Sequence, residues 1–228
     1  MPLRRVLIKA TLFGLAVYGT HCFILTAQTP NPSKITTLTI SEENAILLKK
    51  LKDYSNLEVL SINCVESLQA IPDDIGQLKK LRELNMNNGN GCSMNPKLPE
   101  SIGNLQALEK LDLYGAQDPR PVGNDYGPQP TRRHEFPKSM SQLKALTYLD
   151  LGRNGLEDAS LPELRTLRLD ADGLTEIPDF LRGSKLSLIT LGNNCTITTN
   201  ATKKKALEQR FHGVKLDFED DYDCPDDK

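Results

Sequence analysis

Leu146-Thr147-Tyr148-Leu149-Asp150-Leu151-Gly152-Arg153-Asn154-Gly155-Leu156 is the stretch on which the fold turns. Leu149 and Leu151 alternate with Tyr148, Asp150 and Gly152, the pattern of a short strand with one face in a core and the other in water. After Leu151 the chain must turn sharply, and the Asn154 side chain can hydrogen-bond the backbone of that turn.

The same L-x-x-L-x-L trace recurs at Leu57-Leu60-Ile62, Leu81-Leu84-Met86, Leu108-Leu111-Leu113, Leu164-Leu167-Leu169 and Leu186-Ile189-Leu191. Weaker copies flank these at Ile35-Leu38-Ile40 and Phe211-Val214-Leu216, giving eight expected strands. Their first positions, 35, 57, 81, 108, 146, 164, 186 and 211, are separated by 22, 24, 27, 38, 18, 22 and 25 residues. A second motif leads into three of them: Pro72-x-x-Ile75-x-x-Leu78-x-x-Leu81, Pro99-x-x-Ile102-x-x-Leu105-x-x-Leu108 and Pro137-x-x-Met140-x-x-Leu143-x-x-Leu146. Proline fixes φ and stiffens the return path between strands.

These motifs resemble the leucine-rich repeat family over about residues 35 to 218. The resemblance implies an α/β solenoid: a curved right-handed superhelix with a parallel β-sheet on its concave face, short irregular helices on its convex side and capped ends. Each coil holds half a core, so stability comes from its neighbours. The implied layout is an N-terminal cap repeat at 35–56, repeats over 57–198 and a C-terminal cap with an acidic tail at 199–228. Ser41 is placed to cap a helix carrying Ile46, Leu47, Leu48 and Leu51, and Asn200 to cap one running through Leu207 towards Phe211. The tail around Glu219-Asp220-Asp221 reads as a solvated end, since the glycine and regular alternation of a calcium loop are missing.

The copies also depart from the family pattern. Asparagine stands at the turn position only at Asn154 and Asn194; Val65, Gly89, Ala116 and Asp172 take its place elsewhere. The 18-residue step from Leu146 implies a tight, irregular return. The 38-residue step from Leu108 carries an excess over 117–135, with Pro119, Pro121, Pro128, Pro130, Gly123 and Gly127, a composition that excludes helix and regular strand.

Residues 1–27 read as a secretory signal: basic Arg4 and Arg5, a mostly apolar run to Leu25, then small Ala27 before a polar linker at 28–34. An uncleaved anchor is the alternative, because an apolar run of ~20 residues can span a bilayer. A lipoprotein reading would acylate Cys22, but His21 stands where a small residue is expected. Cleavage would remove Arg4, Arg5 and Lys9 and take the formal charge from -2 to -5. Export to the cell exterior or periplasm, with no stable membrane insertion after cleavage, is the expectation. Cys64, Cys92, Cys195 and Cys224 then remain without a C-x-x-C pair, which suits an oxidising compartment. Cys64 to Cys92 and Cys195 to Cys224 each span about one coil, so these two pairings are expected over the other connectivities. The sequons Asn194-Cys195-Thr196 and Asn200-Ala201-Thr202 read as coincidences, since both asparagines have backbone duties.

Function follows from where the strand residues point. Between the last two leucines of each copy stands the column Thr39, Ser61, Asn85, Asp112, Asp150, Arg168, Thr190 and Lys215, expected on the open sheet face. The next column outward is Ser41, Asn63, Asn87, Tyr114, Gly152, Asp170, Gly192 and Asp217. Asp112, Tyr114, Tyr148, Asp150, Arg153 and Arg168 mix aromatic groups with both charge signs, a composition that recognition surfaces favour. Arg120, Tyr126, Arg132 and Arg133 of the long segment are expected beside them. These ten residues make the expected contact site for a protein partner; the alternative ligand is a glycan, stacking on Tyr114, Tyr126 and Tyr148. The charge balance gives no footprint for nucleic acid, and three scattered histidines suggest no metal site or cofactor. Asp112 and Asp150 could be imagined as paired carboxylates, but an open sheet offers no cleft around a substrate, so no catalytic role is expected.

Overall fold

A computed structural model of the chain describes residues 31–87, 96–115, 136–152, 161–170, 174 and 185–219. Eight strands run in sequence order through one parallel sheet: β1 (Thr37–Ile40), β2 (Val59–Ile62), β3 (Glu83–Asn85), β4 (Lys110–Asp112), β5 (Tyr148–Asp150), β6 (Thr166–Arg168), β7 (Leu188–Thr190) and β8 (Lys215–Asp217). Each pairs only with its neighbours in sequence, the arrangement of a solenoid.

The middle apolar residue of each of the first seven traces falls opposite the next, and the row ends on Leu216: Leu38, Leu60, Leu84, Leu111, Leu149, Leu167, Ile189 and Leu216. Backbone bonds close the rows at both strand ends, as where Lys110 N–H donates to the Arg82 carbonyl at 3.0 Å and Leu113 N–H to the Asp150 carbonyl at 2.9 Å. Behind the sheet, Ile75, Leu78, Leu81, Leu84 and Met86 of one coil are all buried and join the matching residues of the next. Each contributes on the order of 2 kcal/mol of burial, and none is buried by its own coil alone.

The return segments after Pro72, Pro99 and Pro137 wind into single 3-10 turns at Asp73–Gln77, Glu100–Asn104 and Lys138–Gln142. Their coils pack closely enough that a Cβ on Gly76 would lie 2.6 Å from the Ser101 carbonyl oxygen, and one on Gly103 would lie 2.4 Å from that of Ser139. Side chains tie the same turns together: Gln106 Nε2 donates to the Gly103 carbonyl at 2.6 Å and to that of Gln142 at 3.1 Å. Glu100 accepts from the backbone N–H groups of Ser139 and Lys138, and this holds its carboxyl below the usual range.

The long and short repeats leave the sheet undisturbed. Leu111 pairs with Leu149 across the 38-residue step and Leu149 with Leu167 across the 18-residue step. Register is set by the buried leucine row. The excess segment itself, 117–135, lies outside the described residues, as do residues 1–27 and the return at 153–160.

Both ends are capped. Glu42–Asp53 is wound in 3-10 turns broken at Asn44 and Lys50, with Ala45, Leu48, Leu51 and Tyr54 facing inward at the three-residue period of that helix. Ile46, expected on the apolar face, is therefore turned out and 60% exposed. Asn44 ties the start of the cap, accepting from Ser41 N–H at 2.7 Å and donating to the Thr39 carbonyl. At the other end α1 (Cys195–Thr198) leads to α2 (Ala201–Arg210), where Asn200 Oδ1 accepts from Lys203 N–H as expected.

The last strand corrects the expected register by two residues. Asp217, not Lys215, stands opposite Thr190, and Lys215 faces Leu188. A two-residue slip keeps Leu216 pointing the same way, and the observed register lets Leu191 N–H reach the Asp217 carbonyl at 2.8 Å.

Candidate functional site

Three coils solve the exit from the strand in the same way, and the answer shapes the site. The second residue after the final leucine adopts a left-handed conformation: Cys64 at φ 44°, Gly115 at φ 63° and Asn193 at φ 60° occupy equivalent places. The residue after it is buried, as Val65 or Asn194. Asn194 donates from Nδ2 to the carbonyls of Leu169 and Leu191, both at 2.8 Å, and accepts Leu174 N–H on Oδ1 at 2.9 Å. The turn duty expected of Asn194 is thus a bridge between coils; Asn154 lies outside the described residues.

The column read as exposed proves to be partly structural. Asn85, Asp112 and Asp150 each accept the backbone N–H two residues on, from Asn87 at 2.9 Å, Tyr114 at 3.2 Å and Gly152 at 3.0 Å. Asp217 does the same for Glu219 at 3.2 Å. Asp112 and Asp150 are consequently buried, with 8% and 2% of their surface exposed, which corrects their expected place on the open face. The signal was available in the sequence, because Asp and Asn side chains readily fold back on backbone two residues ahead.

Around Asp150 these turns become an electrostatic cluster. Its Oδ2 accepts from the Tyr148 hydroxyl at 3.3 Å and lies 3.6 Å from Arg168 Nε. Burial pushes the Asp150 carboxyl up to about 6, with Gly152 N–H working against it, Asp112 adding to the rise, Arg168 opposing and Asp170 adding again. Arg168 Nη2 pairs with Asp170 Oδ2 at 3.0 Å, and Asp170 also accepts from the Thr190 hydroxyl at 2.7 Å and Gly192 N–H at 2.9 Å. Burial alone would lower the Arg168 pKa; Asp150 and Asp170 outweigh it and keep the guanidinium charged. Burial and then the Asp150 charge raise the Tyr148 phenol.

At the surface this leaves aromatic and cationic groups. The Arg168 side chain is 43% exposed above nearly buried acids. Lys110 Nζ sits 5.2 Å from the Tyr148 ring centroid, directly across the β4–β5 pair. The Tyr114 ring packs on Gly152, where a Cβ would come within 2.7 Å of it. Tyr114, Tyr148 and Arg168 are therefore brought together with Lys110 and Asp170, two residues absent from the expected site. Following the position just before the middle leucine of each trace, as well as the one after it, would have found Lys110. Arg153, Arg120, Tyr126, Arg132 and Arg133 lie outside the described residues.

Cys64 and Cys195 each take part in a disulfide bond; Cys92 and Cys224, their expected partners, lie outside the described residues. Among the described residues no group of acidic, histidine and cysteine side chains could hold a metal ion, and no helix is long and apolar enough to cross a membrane.

One strand per coil, a continuous leucine core and bridged turns give this chain the fold of a leucine-rich repeat solenoid. No family model matches it. It is similar to lumican of Rattus norvegicus, 31% identical over 156 residues that cover 64% of this chain and 46% of the relative. The chain spans about half the length of that relative. Among solved structures, it is similar to a leucine-rich repeat protein of Leptospira interrogans at 22% identity, over 82% of this chain and 49% of the other, with a TM-score of 0.46. An internalin of Listeria monocytogenes shows 18% identity, over 83% and 55% of the two chains, with a TM-score of 0.47.

Proposed function

We propose that this protein is a non-catalytic binding module that engages a protein partner through the open sheet face between β4 and β6. The observation that carries the reading is the juxtaposition of Tyr148, Lys110 and Arg168 on that face, with the Arg168 head held in place by buried Asp150 and Asp170. A preorganised arginine beside an aromatic ring is the composition of energetic centres in interfaces, and less side-chain entropy is lost when it is contacted. Asp112 and Asp150 are committed to backbone amides, and the latter also to Tyr148 and Arg168, which argues against a pair of working carboxylates.

The segment 117–135 is the second element of this site. It leaves the sheet just after Tyr114 and Gly115, and Gly115 N–H is fixed to the Gly152 carbonyl at 2.8 Å, so its first anchor lies at the cluster. Its prolines limit the freedom lost on binding, and its Arg120, Tyr126, Arg132 and Arg133 match the chemistry of the neighbouring face. The setting is extracytoplasmic, on the signal-like residues 1–27 and the four remaining cysteines.

A glycan would need open ring faces. Tyr148 is stacked by Lys110 and Tyr114 lies on Gly152, which favours the protein partner. Affinity capture with the protein lacking residues 1–27, followed by mass spectrometry, tests the reading, with a glycan array beside it. A protein released from wild type but not from Tyr148→Ala supports it; a glycan-array signal without a protein partner overturns it.

A further inference from the structure

Resting on the reading of the sheet face as the binding face, we propose that a strip across β4–β8 binds an extended peptide segment with acidic residues at both ends and apolar residues between. Over β4–β8 the residues just before the middle leucine or isoleucine of each strand form a continuous row: Lys110, Tyr148, Thr166, Leu188 and Lys215. Tyr148, Thr166 and Leu188 are half-buried, an apolar middle flanked by Lys110 and Lys215, and beyond Lys110 the row runs on to exposed Glu83 of β3. Lys110 has the Tyr148 ring as its neighbour, and no carboxylate of the described residues pairs with it or with Lys215. Of the nearby carboxylates, Asp112 and Asp150 are buried and Asp170 is paired with Arg168, while Glu83 on β3 and Asp217 on β8 form no ion pair with either lysine. Arg168 adds a third cation beside the middle of the strip.

The occupant's length follows from spacing. Adjacent strands stand about 4.8 Å apart, so the four steps from Lys110 to Lys215 cover roughly 19 Å. An extended chain rises about 3.3 Å per residue, so side chains six residues apart span about 20 Å and point the same way. Acids at the first and seventh positions of a heptapeptide reach the two lysines, while the third and fifth side chains lie over Tyr148, Thr166 and Leu188. The cations set orientation and selectivity, and the apolar middle supplies contact area.

The test is selection from a bead library of random, end-capped heptapeptides by the protein lacking residues 1–27. Expected are Asp or Glu at positions one and seven with apolar residues at three and five. The selected peptide, labelled, should weaken about fivefold with Lys110→Gln and again with Lys215→Gln, the loss of one partly desolvated ion pair each. Lys110→Glu should reselect a basic residue at one end. Selection of peptides without acidic ends, or binding indifferent to both glutamine variants, overturns the proposal. If no peptide is selected while Tyr148→Ala still abolishes capture of the protein partner, the acidic-peptide occupant is wrong and the sheet-face reading stands. Indifference of both measurements removes both.

Discussion

Asn194 shows how much one side chain does where two coils meet. Fully buried, it satisfies carbonyls of two successive strand ends and one backbone N–H. Asn194→Ala leaves those groups dry and unpartnered, and urea unfolding should show a loss of roughly 3 kcal/mol. The same burial forbids a glycan on Asn194 in the folded chain, and intact mass of the exported protein should show none there. Asp150 presents the opposite case, a buried group whose charge is disfavoured. Its folded-state pKa of about 6 lies above the ordinary 3.8, so between those values the folded chain holds the proton more tightly than the unfolded one. Its contribution to stability is therefore greatest below about pH 4, declines as pH rises to about 6 and is flat above, by at most on the order of 3 kcal/mol. Asp150→Asn keeps an acceptor for Gly152 N–H and should abolish that slope in its own stability curve, so that the difference between wild-type and variant curves carries it. A difference curve unchanged between pH 4 and 6 would show that Asp150 titrates normally.

Within a coil, the 3-10 turns of the convex side decide how near neighbours may come. Gly103→Ala would place a Cβ against both the carbonyl and the Cβ of Ser139, atoms of the next coil's own turn. Opening that gap should cost about 2 kcal/mol, read as a lower midpoint of thermal or urea unfolding with the m-value kept. Covalent links act over the same distance. Non-reducing peptide mapping should join Cys64 to Cys92 and Cys195 to Cys224, each closure worth about 3–4 kcal/mol in the chain-entropy model. A Cys92 to Cys195 peptide would refute that pairing. Strands and their order were legible because a two-residue period with a leucine row admits few alternatives. The helical winding of the N-terminal cap was not: Ile46 and Leu47 sit beside Leu48 in sequence, and only the three-residue period of the 3-10 turns separates the inward residues from the outward one. The β8 register was missed for a related reason, since both registers send Leu216 to the same side.

For the whole molecule, the solenoid supplies a rigid face and leaves recognition to a few positions along it. Tyr114, Tyr148 and Arg168 were legible because each occupies a variable place in the trace. The burial of Asp112 and Asp150 was not, because trace position alone says nothing of a side chain bending back to its own backbone. Leu111 pairs with Leu149 across the long repeat. Replacing residues 118–134 by a short Gly-Ser linker should leave the far-UV spectrum and unfolding midpoint near wild type, since loop length changes closure entropy little, while partner affinity falls. Full affinity in that folded variant would take the segment out of the site. The most direct measurement compares the partner affinities of Tyr148→Ala on the sheet face and Gln77→Ala on the convex side, in variants shown to be folded. The account predicts a loss of about tenfold or more for the first, an interface centre removed, and no change for the second; an unchanged Tyr148→Ala with a weakened Gln77→Ala would contradict it.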